Sequence, residues 1–431
     1  MLRPRPAELH TSPEWWSESR RVYNGPFALP PSQAKHVQKW PTLGVLVAAE
    51  LLSMGVWFSA SAVVPALSAA WSLGDSGKAG LTLAVQGGFA VGALIFAILN
   101  LADRVRPERL LAVSALAAAA ATLLIPVAAR GLPDALCLRF ATGFALAGVY
   151  PVGMKIAATW TKHDRGLGIG LLVGALTFGS AGPQLLNATG GLHNWRAVLY
   201  AAAGLAALGG ILSALFVRSG PYAASKAKFQ WNYVRILLGD RPLLLANLGY
   251  LGHMWELYAM WAWLALYLTA ALHSALAASW LTFAAIAAGG PASVIAGWLA
   301  DRWGRTRTTS LAMSISGTCA LAIGFFFHAG ALWLGSVALI WGFSVVADSA
   351  QFSACTSELC EPHHIGSALT LQNSLGFFLT MVTIRLVPQF ERWLGTQWSM
   401  AFLAIGPALG IVAMMALRKR PEAARIAGGR K

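Results

Sequence analysis

Three carboxylic acids stand deep inside long apolar runs of this sequence: Glu50, Glu256 and Asp348. An ionisable group at the depth of a lipid bilayer is costly unless it is paired or wetted, so each is a candidate for chemistry. A carboxyl group that is desolvated in one state and wet in another binds its proton differently in the two, which links proton uptake to conformation. Set among aromatic faces, the same group can receive a cation. On a helix, Glu50, Ser53, Trp57 and Ser61 share one face, and His253, Glu256, Met260 and Trp263 share another. Asp348 and Gln351 share a third, with Ser344 one turn earlier, and the following run adds Thr370, Gln372, Asn373 and Ser374. These groups are expected to hold a substrate or a coupling proton; a structural polar seam between helices is the alternative. Arg139 is a candidate partner for Glu50, while Gln86 and Lys155 are weaker candidates.

That chemistry requires the runs to cross a membrane. Of the 431 residues, 57% are hydrophobic and only 11% charged, with a mean hydropathy of +0.59. A soluble fold cannot hide that much apolar surface, because its outer layer faces water. A bilayer core about 30 Å thick takes about 20 apolar residues as helix. Runs of that kind lie at roughly 42–69, 80–101, 109–129, 134–158, 166–188, 195–217, 243–271, 277–300, 308–328, 331–355, 366–388 and 397–417. They read as helices, since a span must satisfy its own backbone hydrogen bonds and the alternating segments of a barrel are absent. Abundant glycine and alanine suit close helix packing in lipid.

A formal net charge of +15 would suit nucleic acid, but its placement argues otherwise. With the amino terminus inside, only Lys78, Arg130, Arg196 and Arg392 fall in outer loops, while Arg139, Lys155 and Arg385 lie near or within spans. Every other Lys and Arg is on an inner segment, as the positive-inside rule requires. The charge is therefore topology plus attraction to anionic headgroups of membrane lipid, and no nucleic-acid partner is expected.

Leu-Ala-Asp-Arg occurs twice, at Leu101–Arg104 and Leu299–Arg302, each time after an apolar run and before a basic segment. The longest internal polar stretch, 218–242, divides six runs from six. The expected organisation is a cytoplasmic tail (1–41), a six-helix bundle (42–217), a cytoplasmic linker (218–242), a second bundle (243–417) and a cytoplasmic tail (418–431). A duplicated membrane protein of this layout is most economically a carrier.

The second copy, Gly297-Trp298-Leu299-Ala300-Asp301-Arg302-Trp303-Gly304-Arg305-Thr306-Arg307, resembles the inter-helix motif of the major facilitator superfamily. The resemblance covers nearly the whole chain and implies an all-α membrane protein: twelve transmembrane helices in two pseudo-symmetric six-helix bundles. The first copy keeps Asp103 and Arg104 but carries Arg106 and Pro107 where the second has Gly304 and Arg305. In this reading Asp103, Arg104, Gly297, Asp301, Arg302, Gly304 and Arg305 form gates. Each Asp accepts from the first N–H groups of a neighbouring helix, and the Arg residues pair with carboxylates or lipid phosphates. Leu138–Ala145, with Arg139, resembles the fourth-helix motif of proton-coupled members. Gly179, Gly182 and Pro183 resemble the fifth-helix motif of drug/proton antiporters, or kink that helix for packing. The paired arginines of the nitrate/nitrite porters have no counterpart in 80–98 or 277–296.

Other classes are excluded more directly. The cysteines form no disulfide framework, and three of the four fall in apolar stretches. Cys355-Thr356-Ser357-Glu358-Leu359-Cys360-Glu361-Pro362-His363-His364 lacks the spacing of a zinc site. There is no nucleotide-binding glycine loop, and neither a catalytic pair nor a histidine cluster at membrane depth. No cleavable signal peptide opens the chain. The expectation is a monomeric, multi-pass protein of a bacterial inner membrane, with both termini cytoplasmic, no cofactor, no metal and no enzymatic activity. It would move a small-molecule substrate, with protons as the preferred coupling ion. A proton-independent facilitator, an anion uptake porter and a non-transporting sensor or scaffold remain as alternatives.

Overall fold

The computed structural model describes residues 39–161, 165–191, 194–222, 237–361 and 364–430. Most of the expected tail 1–41, Lys162, much of the 218–242 linker with Lys226, Lys228 and Arg235, Pro362, His363 and Lys431 lie outside the described residues, as does the Arg165 side chain.

Every regular element among the described residues is helical. The first half contains α1 (Lys39–Met54), α2 (Ser59–Ala62), α3 (Val64–Trp71), α4 (Asp75–Ile98), α5 (Leu101–Arg104), α6 (Pro107–Ala128), α7 (Leu132–Leu146), α8 (Tyr150–Ala158), α9 (Arg165–Leu186) and α10 (Trp195–Phe216). The second contains α11 (Arg241–Leu272), α12 (Ala275–Trp303), α13 (Arg305–Ala322), α14 (Gly330–Ala347), α15 (Ser349–Leu359), α16 (Ile365–Leu394) and α17 (Ile405–Arg418). Ten helical stretches among the described residues are long and apolar enough to cross a membrane. The two other runs, 42–69 and 243–271, are helical as well, the first in three pieces and the second as the unbroken 32-residue α11. These two runs hold Glu50 and Glu256.

Packing repeats between the halves. α1 packs on α9 and α10 as α11 packs on α16 and α17; α4 packs on α7 as α12 packs on α14; α6 packs on α7 and α10 as α13 packs on α14 and α17. Glycine sets the closeness of one repeated pair. A Cβ at Gly143 would strike the Val85 carbonyl in the α4–α7 contact, and one at Gly342 would strike the Ala285 carbonyl in the α12–α14 contact. Small residues let membrane helices approach to backbone distance, where dispersion rather than water expulsion holds them. The halves meet along α4 with α16 and α9 with α12.

Three runs are interrupted where chemistry was expected. The first breaks at 55–58, so Glu50 and Ser53 are not on one continuous stripe with Trp57 and Ser61. The fourth breaks between α7 and α8, and the tenth breaks at Asp348, between α14 and α15. α15 continues through Leu359, beyond the expected end of the tenth run at 355.

Candidate functional site

Arg139 explains how the first break survives in an apolar setting. A chain that leaves helical geometry frees backbone carbonyls, and lipid offers no donors for them. The fully buried guanidinium reaches across from α7 and donates to Val56 O at 2.7 Å, to Trp57 O, and at 3.4 Å to Leu81 O and Ser59 Oγ. Ser59 Oγ adds a bond to Val56 O at 2.9 Å. The expected pairing of Arg139 with Glu50 is therefore corrected: its donors are taken up by the broken backbone.

Glu50 is left in a different position from every other buried acid. It is 0% exposed, and neither carboxyl oxygen has a hydrogen-bond partner among the described residues. α8 presses against it so closely that a Cβ at Gly153 would lie 3.1 Å from Glu50 Oε2. Tyr150 stands one turn before Gly153 on α8, and Tyr250 stands on α11. The Tyr250 hydroxyl donates to Asn373 Oδ1 at 3.2 Å. Neither tyrosine stood out in the sequence; the signal available was that a phenol inside a span needs a partner.

One to two turns further along, aromatic rings close the junction. Trp57 lies 4.7 Å from Phe89, 5.8 Å from Tyr258 and 5.6 Å from Phe377, centroid to centroid. Phe58 meets Tyr258 and, edge-on, Trp261. The indole N–H groups of Trp57 and Trp261 and both amide atoms of Gln86, one turn from Phe89, are buried without partners among the described residues. Beyond the rings, Asn187 Nδ2 donates to Ser279 Oγ at 3.0 Å and Arg385 donates to Ser76 Oγ at 3.3 Å, each joining one half to the other.

The acids of the second half are placed otherwise than expected. Glu256 turns into its own bundle, accepting from Ser316 Oγ at 2.8 Å and Trp341 Nε1 at 2.6 Å. Asp348 lies at the break of the tenth run, with Oδ1 2.8 Å from His253 Nδ1, while His253 Nε2 has no partner among the described residues. The shared face of His253, Glu256 and Trp263 is likewise divided, since Trp263 Nε1 donates to Ile384 O at 3.1 Å. Gln372 donates to Thr356 Oγ1 at 2.8 Å and does not join Asp348. Gln351 belongs to neither group but to the motif at the end of the helix. Ser316 and Trp341, which complete the Glu256 site, were not singled out from the sequence.

At the motif end the two copies are built with opposite polarity. Asp103 takes Lys155 Nζ from α8 at 2.6 Å, and the same ammonium donates to Ala102 O. In the second half the base is on the motif and the acid on α15. Arg305 grips Glu358 through two bonds of 2.9 and 2.7 Å and donates to Gln351 Oε1 at 2.7 Å. Asp301, 60% exposed at its side chain, stands 3.7 Å from Arg305. Both aspartates thus face cationic side chains in place of the expected helix N–H groups. Gly304 has φ +95°, a region closed to most side chains, whereas Arg106, in the corresponding place of the first copy, has φ −57°. That difference accounts for the missing glycine of the first copy. The tail folds back onto this cluster: Ala427 N donates to Glu358 Oε2 at 3.0 Å, Arg425 to Leu359 O at 2.7 Å, and Arg430 to Asp301 O. Arg104 is exposed, and nothing packs where a Cβ at Gly297 would stand except Gln351 Nε2 at 4.0 Å.

In α9, a Cβ at Gly179 would collide with the Leu51 carbonyl and come within 2.7 Å of Met54 Cβ, so this glycine brings the fifth run against the first. Gly182 faces open space, and Pro183 lies inside the helix ahead of a π turn at Asn187–Gly191.

A sequence profile described as Major Facilitator Superfamily matches residues 46–384. No curated protein matches the chain. Among solved structures, a bacterial homolog of the human lysosomal transporter Spinster, inward-facing and unoccupied, shares 15% identity and a TM-score of 0.67 over 89% of this chain and 99% of that one. The nucleoside transporter NupG shares 14% identity and a TM-score of 0.66 over 89% of this chain and all of that one. At such identity the likeness is one of fold.

Proposed function

The chain belongs to the major facilitator superfamily, and on that premise we propose that it is a proton-coupled secondary carrier. It moves a small organic solute across a bacterial inner membrane by alternating access, with both termini cytoplasmic and the halves 42–217 and 243–417 rocking about the junction. The observation that carries this reading is Glu50, buried among first-half helices with no donor to either oxygen among the described residues. An ionised carboxylate there would be an uncompensated buried charge, so in this reading the closed carrier holds the protonated acid. Rocking that shifts α8 off Glu50 wets the carboxyl group and releases its proton on one side only. The contacts of Asn187 with Ser279 and Arg385 with Ser76 support a state closed at the end opposite the motif, which the basic segments mark as the outer end. The Asp103–Lys155 pair and the Arg305–Glu358–Gln351 cluster brace each half internally, so that the halves move as units.

Trp57, Gln86, Trp261 and Tyr250 supply the faces and polar atoms nearest the junction and form the proposed substrate site, with Glu256, His253 and Asp348 as a second ionisable group behind it. An anion porter finds little support, because the donors of Arg139 are occupied by protein carbonyls. The test is a thermal-shift screen of a metabolite and drug library on purified protein, followed by uptake of the hits into proteoliposomes. A hit whose uptake follows an imposed pH gradient in the wild type and not in Glu50→Gln supports the reading. Uptake equal in both overturns the coupling role of Glu50.

A further inference from the structure

We propose that the groove between α12, α13 and α14 binds one anionic phospholipid, its acyl chain in the groove and its phosphate between Arg302 and Arg307. α12 and α13 are joined through the single residue Gly304 and splay apart from that turn. Alanine stands where larger side chains would fill the wedge: Ala292, Ala296, Ala312 and Ala347 form a small cluster separate from the main core. The result is a groove of about 420 Å³ running along helices that cross the membrane. Its rim is open to the surroundings, with Ile295 50% and Leu311 46% exposed.

The lining selects hydrocarbon. Its only hydroxyls are spent on their own helices, Thr308 on Gly304 O at 3.0 Å and Ser344 on Ile340 O at 2.7 Å. The groove offers no free side-chain donor to a polar solute, so a flexible alkyl chain is the fitting occupant. The mouth selects charge. On α12 the lining face passes through Ile295 and Leu299, and one further turn reaches Arg302. On α13 it passes through Ile315 and Leu311, and one further turn reaches Arg307. Both arginines are exposed, and neither forms an ion pair among the described residues, whereas Arg305 between them is committed to Glu358. Arg302 is stacked over the exposed Trp298 ring at 3.9 Å, which holds its guanidinium at the mouth. Two guanidinium groups one turn beyond an apolar slot are suited to a phosphodiester, and a lipid with net negative charge leaves no ammonium to oppose them. This site is distinct from the junction and does not depend on what the carrier moves.

The test is native mass spectrometry of the full chain in detergent, titrated with phosphatidylglycerol and with phosphatidylcholine of the same acyl chains. The expected result is one phosphatidylglycerol bound at least tenfold more tightly than phosphatidylcholine. Arg302→Gln combined with Arg307→Gln should erase the difference between the two lipids. Ala296→Phe, which fills the groove, should weaken both, with a monodisperse gel-filtration profile as the check on folding. Equal binding of the two lipids by the wild type, or unchanged phosphatidylglycerol binding in both variants, would overturn the assignment. So would a dimer that Ala296→Phe dissociates, since the occupant would then be a second copy.

Discussion

Replacing Arg139 with Met tests whether a buried guanidinium holds the first span together. The side chain is fully buried and has no carboxylate partner among the described residues, so on charge alone its removal should stabilise the protein. The hydrogen bonds argue for the opposite sign. Two of them, to Val56 O at 2.7 Å and to Trp57 O, are charge-assisted contacts to carbonyls that the break at 55–58 has released. At about 1.5–3 kcal/mol for each hydrogen bond to a charged group, they total roughly 3–6 kcal/mol. The two contacts at 3.4 Å add little. Methionine fills most of the volume but leaves both carbonyls without a donor in an environment that has none, so the expected loss is about 4 kcal/mol. Arg139→Lys, with one point charge in place of a fork, should recover about half of it. Equilibrium unfolding in mixed micelles measures both values, and solvent labelling of a cysteine introduced at Ser61 reports whether the break opens. An Arg139→Met protein as stable as the wild type, or more stable, would refute the assignment.

Other consequences follow from particular contacts. A double-mutant cycle on Asp103→Ala and Lys155→Ala should return a coupling of about 0.5–1 kcal/mol, because the pair is partly exposed. Coupling indistinguishable from zero would remove the brace from the first half. Deleting residues 421–431 strips Glu358 and Leu359 of two tail bonds; amide exchange in 349–359 should rise while exchange in 150–158 stays unchanged, and an unchanged 349–359 would show that the tail does not hold α15. Gly143→Val forces a side chain into the Val85 carbonyl, so monodisperse protein should be lost, whereas Gly182→Val, facing open space, should purify normally. Equal yields would contradict the close α4–α7 contact.

How much of this was legible in the sequence depends on whether a feature is local. Apolar runs, the duplicated Leu-Ala-Asp-Arg and the polar break at 218–242 are contiguous signals, and they led to the right fold. The site was legible only in its residue types. Helical spacing placed Glu50 and Trp57 on one stripe, but a break at 55–58 needs a distant Arg139 to be stable, and no local pattern announces it. Spacing also gave Glu256 and His253 a common face without saying which neighbours that face meets; Ser316, Trp341 and Asp348 come from other spans. The charged residues of the doubled motif were visible, yet their partners Lys155 and Glu358 sit 52 and 53 residues from Asp103 and Arg305. The glycine of the second copy had a visible cause only once its positive φ was seen.

The central claim is that Glu50, and not Glu256, carries the coupling proton. The most direct measurement is solute-dependent proton movement in proteoliposomes loaded with a pH dye, compared among the wild type, Glu50→Gln and Glu256→Gln. Each addition of transported solute should shift internal pH in the wild type. Glu256→Gln should retain the shift with reduced rate, since an amide can keep one of the contacts to Ser316 and Trp341. Glu50→Gln should move solute without moving protons. Solute-coupled proton movement of wild-type size in Glu50→Gln, or its loss in Glu256→Gln alone, would contradict the account.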